Sequence, residues 1–227
     1  MIWEYVLDPA NWTNPDAGIF ILLVQHLAYT ALAVLAAAVI GIPLGIWIGH
    51  TGRGRFVGIG LSNAARSIPS LGLLVLAVTL LSNGVGPVVA VLAILALPPI
   101  LTATAAGVSG ADPGAVHAAR ALGMTGNQVV KKVEWPLALP LVISGLRSAT
   151  LQVVATATIA AYVSAGGLGR LLISGQATAN YSEMFAGAVL VAALAILLDL
   201  LLGLIGWLAA RRTHPGRAAE VAFAASR

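Results

Sequence analysis

The chain has 227 residues, 59% of them hydrophobic and only 9% charged, with a formal charge of +4 and no cysteine. Soluble domains carry about 25% charged residues, so the composition argues against a soluble fold. It argues equally against nucleic acid as a partner, because the few basic residues gather in short segments, as they do in the cytoplasmic loops of membrane proteins. The lack of cysteine excludes disulfides, thiolate metal sites and cysteine nucleophiles, and no other metal site is expected.

The apolar runs are long enough to cross a bilayer, which takes about 20 residues of helix. They do not alternate as barrel strands would. The expected fold class is therefore an all-α polytopic membrane protein with the lipid bilayer as solvent, since helices satisfy their own backbone polar groups in lipid.

Residues 1–17 read as an extracytoplasmic lead, acidic and aromatic, with Trp3, Glu4, Tyr5, Asp8, Trp12 and Asp16. A basic start and a small-residue cleavage site are both missing, so this is not read as a secretory signal. The aromatic residues suit a membrane surface, and a plain polar lead-in fits the same residues. The transmembrane domain is expected over residues 18–210.

The first span is predicted from about Gly18 to Gly49. Gly41, Gly45 and Gly49 put small residues on one helical face, where another helix can approach closely. Pro43 among them is expected to kink the helix. A basic turn follows at His50–Arg55, and then a second span from about Phe56 to Leu81. Ser62, Asn63, Arg66, Ser67, Pro69 and Ser70 form a polar cluster inside it. Polar groups at membrane depth are costly and face a bundle interior or a water-filled path. Ser67, Pro69 and Ser70 are therefore candidates for a translocation path, although Arg66 can also snorkel to the headgroups.

Ser82–Pro87 reads as a tight turn, followed by a third span, Val88–Val108, whose regularity Pro98-Pro99 should break. A fourth span is predicted over Leu137–Val163, carrying Arg147, Gln152, Thr156 and Thr158. The two threonines join the path candidates, against the competing reading that they bond their own backbone. The connection 164–183 opens with Ala165–Gly169, too rich in glycine for ordinary helix. Gly166, Gly167 and Gly169 there are candidates on the outer side, and Arg170–Ala177 either dips into the membrane or lies on its surface. A fifth span runs from about Met184 to Ala210, with Asp199 inside it and no obvious partner; residues 211–227 form a basic tail.

Arg53, Arg55, Arg120, Lys131, Lys132, Arg211, Arg212, Arg217 and Arg227 fall on one side of this arrangement, and only Arg170 on the other. The positive-inside rule then places the N-terminus outside and the C-terminus and tail in the cytoplasm, with five spans between. A sixth would arise only if 164–183 crossed fully, which would put the basic tail outside.

The longest polar interruption, Asp112–Pro140, is expected to project into the cytoplasm. Asp112-Pro113 is a helix start. Gly123 suits a left-handed helix end, and Thr125 with Gln128 fits a capping box. Two short helices at an angle are predicted, the second ending at Trp135-Pro136, where the chain re-enters the bilayer.

This stretch resembles the EAA motif of ABC importer permeases: an acidic residue, two alanines, a glycine, an aliphatic residue and Leu-Pro at fixed spacings. Ala118, Ala119, Gly123, Val133 and Pro136 match in register, whereas His117 stands where the family has Glu and Trp135 where it has Leu. Ser67–Leu71, the run from Ala121 to Pro140 and Ala165–Gly169 are similar to the branch that imports quaternary ammonium osmoprotectants such as glycine betaine, carnitine and choline, with proline a further candidate solute.

The resemblance implies a type I importer permease fold in a bacterial plasma membrane. Residues 112–136 would be a coupling loop docking on an ABC ATPase through His117, Ala118, Ala119, Arg120, Gly123, Met124, Val133 and Pro136. It implies two permease subunits, as a homodimer or a heterodimer, two ATPases that use ATP and Mg, and an extracytoplasmic solute-binding protein. No GxxxxGK[ST] loop is present, so this chain is expected to bind no cofactor and to catalyse nothing itself. Permeases for an amino acid or a sulfonate are the alternative within transport. An intramembrane hydrolase built on Ser109 and His117, and a passive channel or scaffold, are alternatives from other classes.

Overall fold

A computed structural model of the chain describes residues 2–15, 18–54, 58, 60, 67–81, 84–163 and 166–213. Ser62, Asn63, Arg66, Ser82, Asn83, Ser164 and Ala165 lie outside the described residues, as does the tail from 214 onward. Every regular element among the described residues is helical. In chain order these are α1 (Ile2–Leu7), α2 (Pro9–Thr13), α3 (Ile19–Thr51), α4 (Ser70–Leu81), α5 (Val85–Ser109), α6 (Pro113–Ala121), α7 (Gly126–Val163), α8 (Gly169–Ala177) and α9 (Tyr181–Thr213). Four of them, α3, α5, α7 and α9, are long and apolar enough to cross a membrane. The apolar helix α4 has only 12 residues; the rest of the predicted second span falls largely on undescribed residues.

The chain divides into two compact units, one of 1–37, 65–96 and 149–199, the other of 38–64, 97–148 and 200–227.

In the second unit, glycines set the helix spacing. A methyl group on Gly45 would meet the Thr104 side chain, and one on Gly49 the Val108 side chain, so the small face of α3 lies directly on α5. Gly107 likewise lies on Ala138, and Gly145 on Ala103. Val108, Ala138 and Val142 form the core there, flanked by Ile42, Ile46, Trp135 and Leu146. In the first unit, Ile19, Leu22, Leu168, Leu171 and Leu194 form the core, with Tyr5 and Trp12 packed against it.

Several expectations are corrected. The lead is not a plain polar segment: Asn11 Nδ2 donates to the Tyr5 carbonyl and Trp12 Nε1 to that of Val6, folding α1 and α2 together. The turn 82–87 gives way to helix at Val85, because Pro87 in the first helical turn lacks an N–H that would be unpaired there anyway. Pro98-Pro99, expected to break the third span's regularity, sit inside a continuous α5; Pro43 lies within α3. Pro99 cannot donate to the Leu95 carbonyl, one turn back; Gln152 Nε2 of α7 supplies that bond at 3.1 Å. Asp199 on α9, with no partner obvious from sequence, does interact with its surroundings. That helix begins at Tyr181, three residues before the predicted span, and Ile196, Leu197, Leu200, Leu204 and Ile205 are exposed along it, as suits a helix facing lipid.

Candidate functional site

The segment 112–136 lies within the second unit, and local chemistry builds it. The Asp112 side chain accepts from the Gly114 N–H at 3.0 Å, and Pro113 opens α6. Helix α6 stops at Leu122, where the backbone turns left-handed: Gly123 has φ +80° and its N–H bonds the Arg120 carbonyl. A Cβ at Gly123 would meet nothing within 4 Å, so the backbone, not crowding, requires glycine here. The Gln128 side chain then reaches back to accept from the Thr125 N–H at 2.8 Å and starts α7, as in a capping box.

Beyond this start the prediction is corrected. The second short helix does not end at Trp135-Pro136. It is the first turn of α7, which runs on to Val163. A π-helical turn over Val130–Glu134 joins the two parts, with the Trp135 N–H bonding the Val130 carbonyl. Proline inside a helix leaves a carbonyl unpaired. The wider turn lies immediately before Pro136 and carries the helix past it.

The predicted docking residues divide by exposure. Ala119 is buried, Met124, Val133 and Pro136 are half-buried, and His117, Ala118, Arg120 and Gly123 are exposed. Sequence reasoning missed Leu122, which is 81% exposed at the tip beside Gly123. It also missed the anchor below. Glu134, 6% exposed in the π turn, holds His50 of α3 through Oε2 and Nδ1 at 2.7 Å. Gly126 leaves room beside the same imidazole. The exposed residues of the segment therefore include one large apolar side chain, Leu122, together with Arg120, Lys131 and Lys132.

The other predicted residues lie in the first unit. Ser67 and Pro69 are exposed and Ser70 is half-buried. Thr156 and Thr158 donate to the Gln152 and Val154 carbonyls of their own helix, as the competing reading expected. Gly166 and Gly167 have φ of +79° and +72°, and Gln25 Oε1 accepts from the Gly167 N–H at 3.0 Å. Gly169 sits against the Thr158 carbonyl, where no Cβ fits. Buried beneath the loop, His26 bonds the Val154 carbonyl through Nε2 at 3.1 Å, while its Nδ1 has no hydrogen-bond partner. Gln25 and His26 were not anticipated.

Ser109 donates weakly to the Ala106 carbonyl and His117 is exposed on α6; no hydrogen bond joins the two, which leaves the hydrolase reading without a base. Among the described residues no His, Asp or Glu cluster could hold a metal ion.

Residues 41–214 match the family described as the binding-protein-dependent transport system inner membrane component. The chain belongs to that family. Members are multi-pass inner-membrane permeases of ABC importers, and the ATPase is a separate subunit. The permease is 36% identical to the osmoprotectant import permease protein OsmW of Salmonella typhimurium over 204 residues, 88% of this chain and 92% of that one. It is also 36% identical to the carnitine transport permease protein OpuCD of Listeria monocytogenes over 180 residues, 79% of this chain and 81% of that one. Its fold is similar to an inward-facing structure of the MetNI methionine ABC transporter, with a TM-score of 0.74 and 26% identity over 87% of this chain and 99% of that one.

Proposed function

We propose that this permease forms the membrane path for quaternary ammonium osmoprotectants, glycine betaine, carnitine and choline among them, and that residues 112–136 couple it to its ATPase. The solute class is supported by the two relatives, which are named for carnitine and for osmoprotectants. The coupling role rests on one observation: a capped helix and a left-handed glycine present Leu122, His117, Ala118 and Arg120 to the outside of the second unit.

In this reading the N-terminus lies outside and the C-terminus in the cytoplasm, with α4 and the residues before it as the fifth span. The distribution of basic residues supports this orientation. Residues 1–17 are the outer lead, 18–210 the permease domain and 211–227 the cytoplasmic tail. Two permeases, alike or different, assemble with two ATPases that use ATP and Mg, and a solute-binding protein delivers the solute from outside. Closing the ATPases moves the two coupling segments, and the spans pass between inward-open and outward-open states. Ser67, Pro69, Ser70, Thr156 and Thr158 are the path candidates, and Gly166, Gly167 and Gly169 hold the outer loop.

The test of the coupling role is Gly123→Asp in the reconstituted complex. Aspartate tolerates left-handed backbone better than most residues, and this position is uncrowded, so the permease should fold. Solute-stimulated ATPase activity and uptake should both fall sharply; unchanged values for both would refute the docking role.

A further inference from the structure

The first unit holds a cavity of about 150 Å³ that no part of the coupling machinery uses. Tyr5, Asn11 and Asn14 of the lead, Arg170 and Ser174 of α8 and Glu183 of α9 line it, over a floor of Leu22 and Leu171. A cavity of ~150 Å³ accommodates a benzene-sized molecule, whereas drug-sized ligands need about 300–1,000 Å³.

Its walls are built rather than incidental. Asn11 and Trp12 tie α1 to α2 through the Tyr5 and Val6 carbonyls, and Tyr5 and Trp12 pack on the core that includes Leu22 and Leu171. Arg170 follows directly on Gly169, which is seated on the Thr158 carbonyl, and the Arg170 N–H bonds the Gly167 carbonyl at 3.0 Å. The glycine loop therefore fixes the backbone from which the Arg170 side chain starts. On the far wall, Asn180 caps the start of α9 by accepting from the Glu183 N–H. Burial, and then the negative charge of Glu183, push the Tyr5 hydroxyl above its ordinary pKa, so the field of that carboxylate reaches the tyrosine. Among the described residues the cavity thus joins a basic and an acidic side chain, an aromatic ring and an apolar floor, and Arg170 and Asn14 also interact with their surroundings. Arg170 is the sole basic residue in segments 1–17 and 164–183.

We propose that this cavity is a receiving subsite for a small zwitterion that carries a carboxylate and a quaternary ammonium group. Arg170, with the Asn14 amide, takes the carboxylate through charge-assisted hydrogen bonds. A quaternary ammonium has no N–H to donate, so Glu183 holds it by charge, the Tyr5 ring by cation–π attraction, and Leu22 and Leu171 meet its methyl groups. The proposal rests on the solute class and orientation given above, which put the cavity at the outer mouth.

The test uses the complete importer complex in nanodiscs, without its binding protein, and measures equilibrium binding of radiolabelled glycine betaine and radiolabelled choline. Choline keeps the quaternary ammonium but lacks the carboxylate. Arg170→Gln should weaken glycine betaine binding ~10-fold or more and leave choline binding unchanged. Arg170→Lys should restore most of the loss, and Glu183→Gln should weaken both solutes. Equal loss of both solutes in Arg170→Gln would mark a merely structural arginine and overturn the subsite. So would unchanged solute affinity with weakened capture of the binding protein, which would make the cavity a docking surface. Uptake by the unaltered complex separates the two levels: no glycine betaine uptake overturns the solute class and the subsite together, whereas uptake with unchanged variant affinities overturns the subsite alone.

Discussion

Two glycines of this chain show how the same residue type answers different demands. Gly123 has φ +80° in open space, while Gly169 lies against the Thr158 carbonyl. Gly123→Ala should cost about 1 kcal/mol of backbone preference. Gly169→Ala forces the loop off its seat and should cost about 1–3 kcal/mol. Thermal unfolding of the purified permease should rank the two, with the larger drop in Tm for Gly169→Ala; the reverse order would mean that the loop yields easily. Both glycines were singled out from sequence, Gly123 as a left-handed helix end, whereas the close seat of Gly169 on the Thr158 carbonyl was not visible there. The polar residues that tie distant stretches of chain together within each unit were not visible there either. His26 bonds a carbonyl 128 residues away, and His50 a carboxylate 84 residues away. Each is a lone polar side chain in or at the end of an apolar run, and no local pattern encodes a partner that far along the chain. Gln152 carried a usable signal: Pro98-Pro99 had to leave carbonyls unpaired, and a nearby helix with a glutamine was a candidate donor.

At the level of elements, caps were legible because they are local. Asp112-Pro113, Gly123 and the Thr125–Gln128 pair each act within a few residues, and each lies where it was expected. The π turn was not legible, since two prolines in sequence, Pro136 and Pro140, read equally well as a helix end. Instead the long helix continues through them, and Glu134 in the π turn ties the base of the segment 112–136 to α3. That link gives the segment a stiff connection to a membrane helix. Glu134→Ala leaves the His50 Nδ1 without its acceptor and should lower stability by about 1–3 kcal/mol. Glu134→Gln, which keeps an acceptor oxygen, should lose less. Tm and the ratio of solute uptake to ATP hydrolysis are the readouts. If the link transmits force, Glu134→Ala should hydrolyse more ATP per solute moved; an unaltered ratio would reduce the pair to a structural contact.

For the molecule as a whole, hydropathy sufficed to locate the four long helices, because length and apolar content are all that spanning a bilayer demands. Helix packing within the second unit followed from the repeat of Gly41, Gly45 and Gly49, which α5 meets as expected. The docked lead was hidden because its helices are short and gain their order from Tyr5 and Trp12 packing on the core of the first unit. The central claim is that the chain is the membrane subunit of an ATP-driven importer of quaternary ammonium solutes. Its most direct test is uptake in proteoliposomes holding the permease with its ATPase and binding protein, using labelled glycine betaine and unlabelled choline, carnitine or methionine as competitors. The account predicts ATP-dependent accumulation of glycine betaine, reduced by carnitine and choline and unaffected by methionine. Accumulation suppressed by methionine alone, or none that depends on ATP, would contradict it.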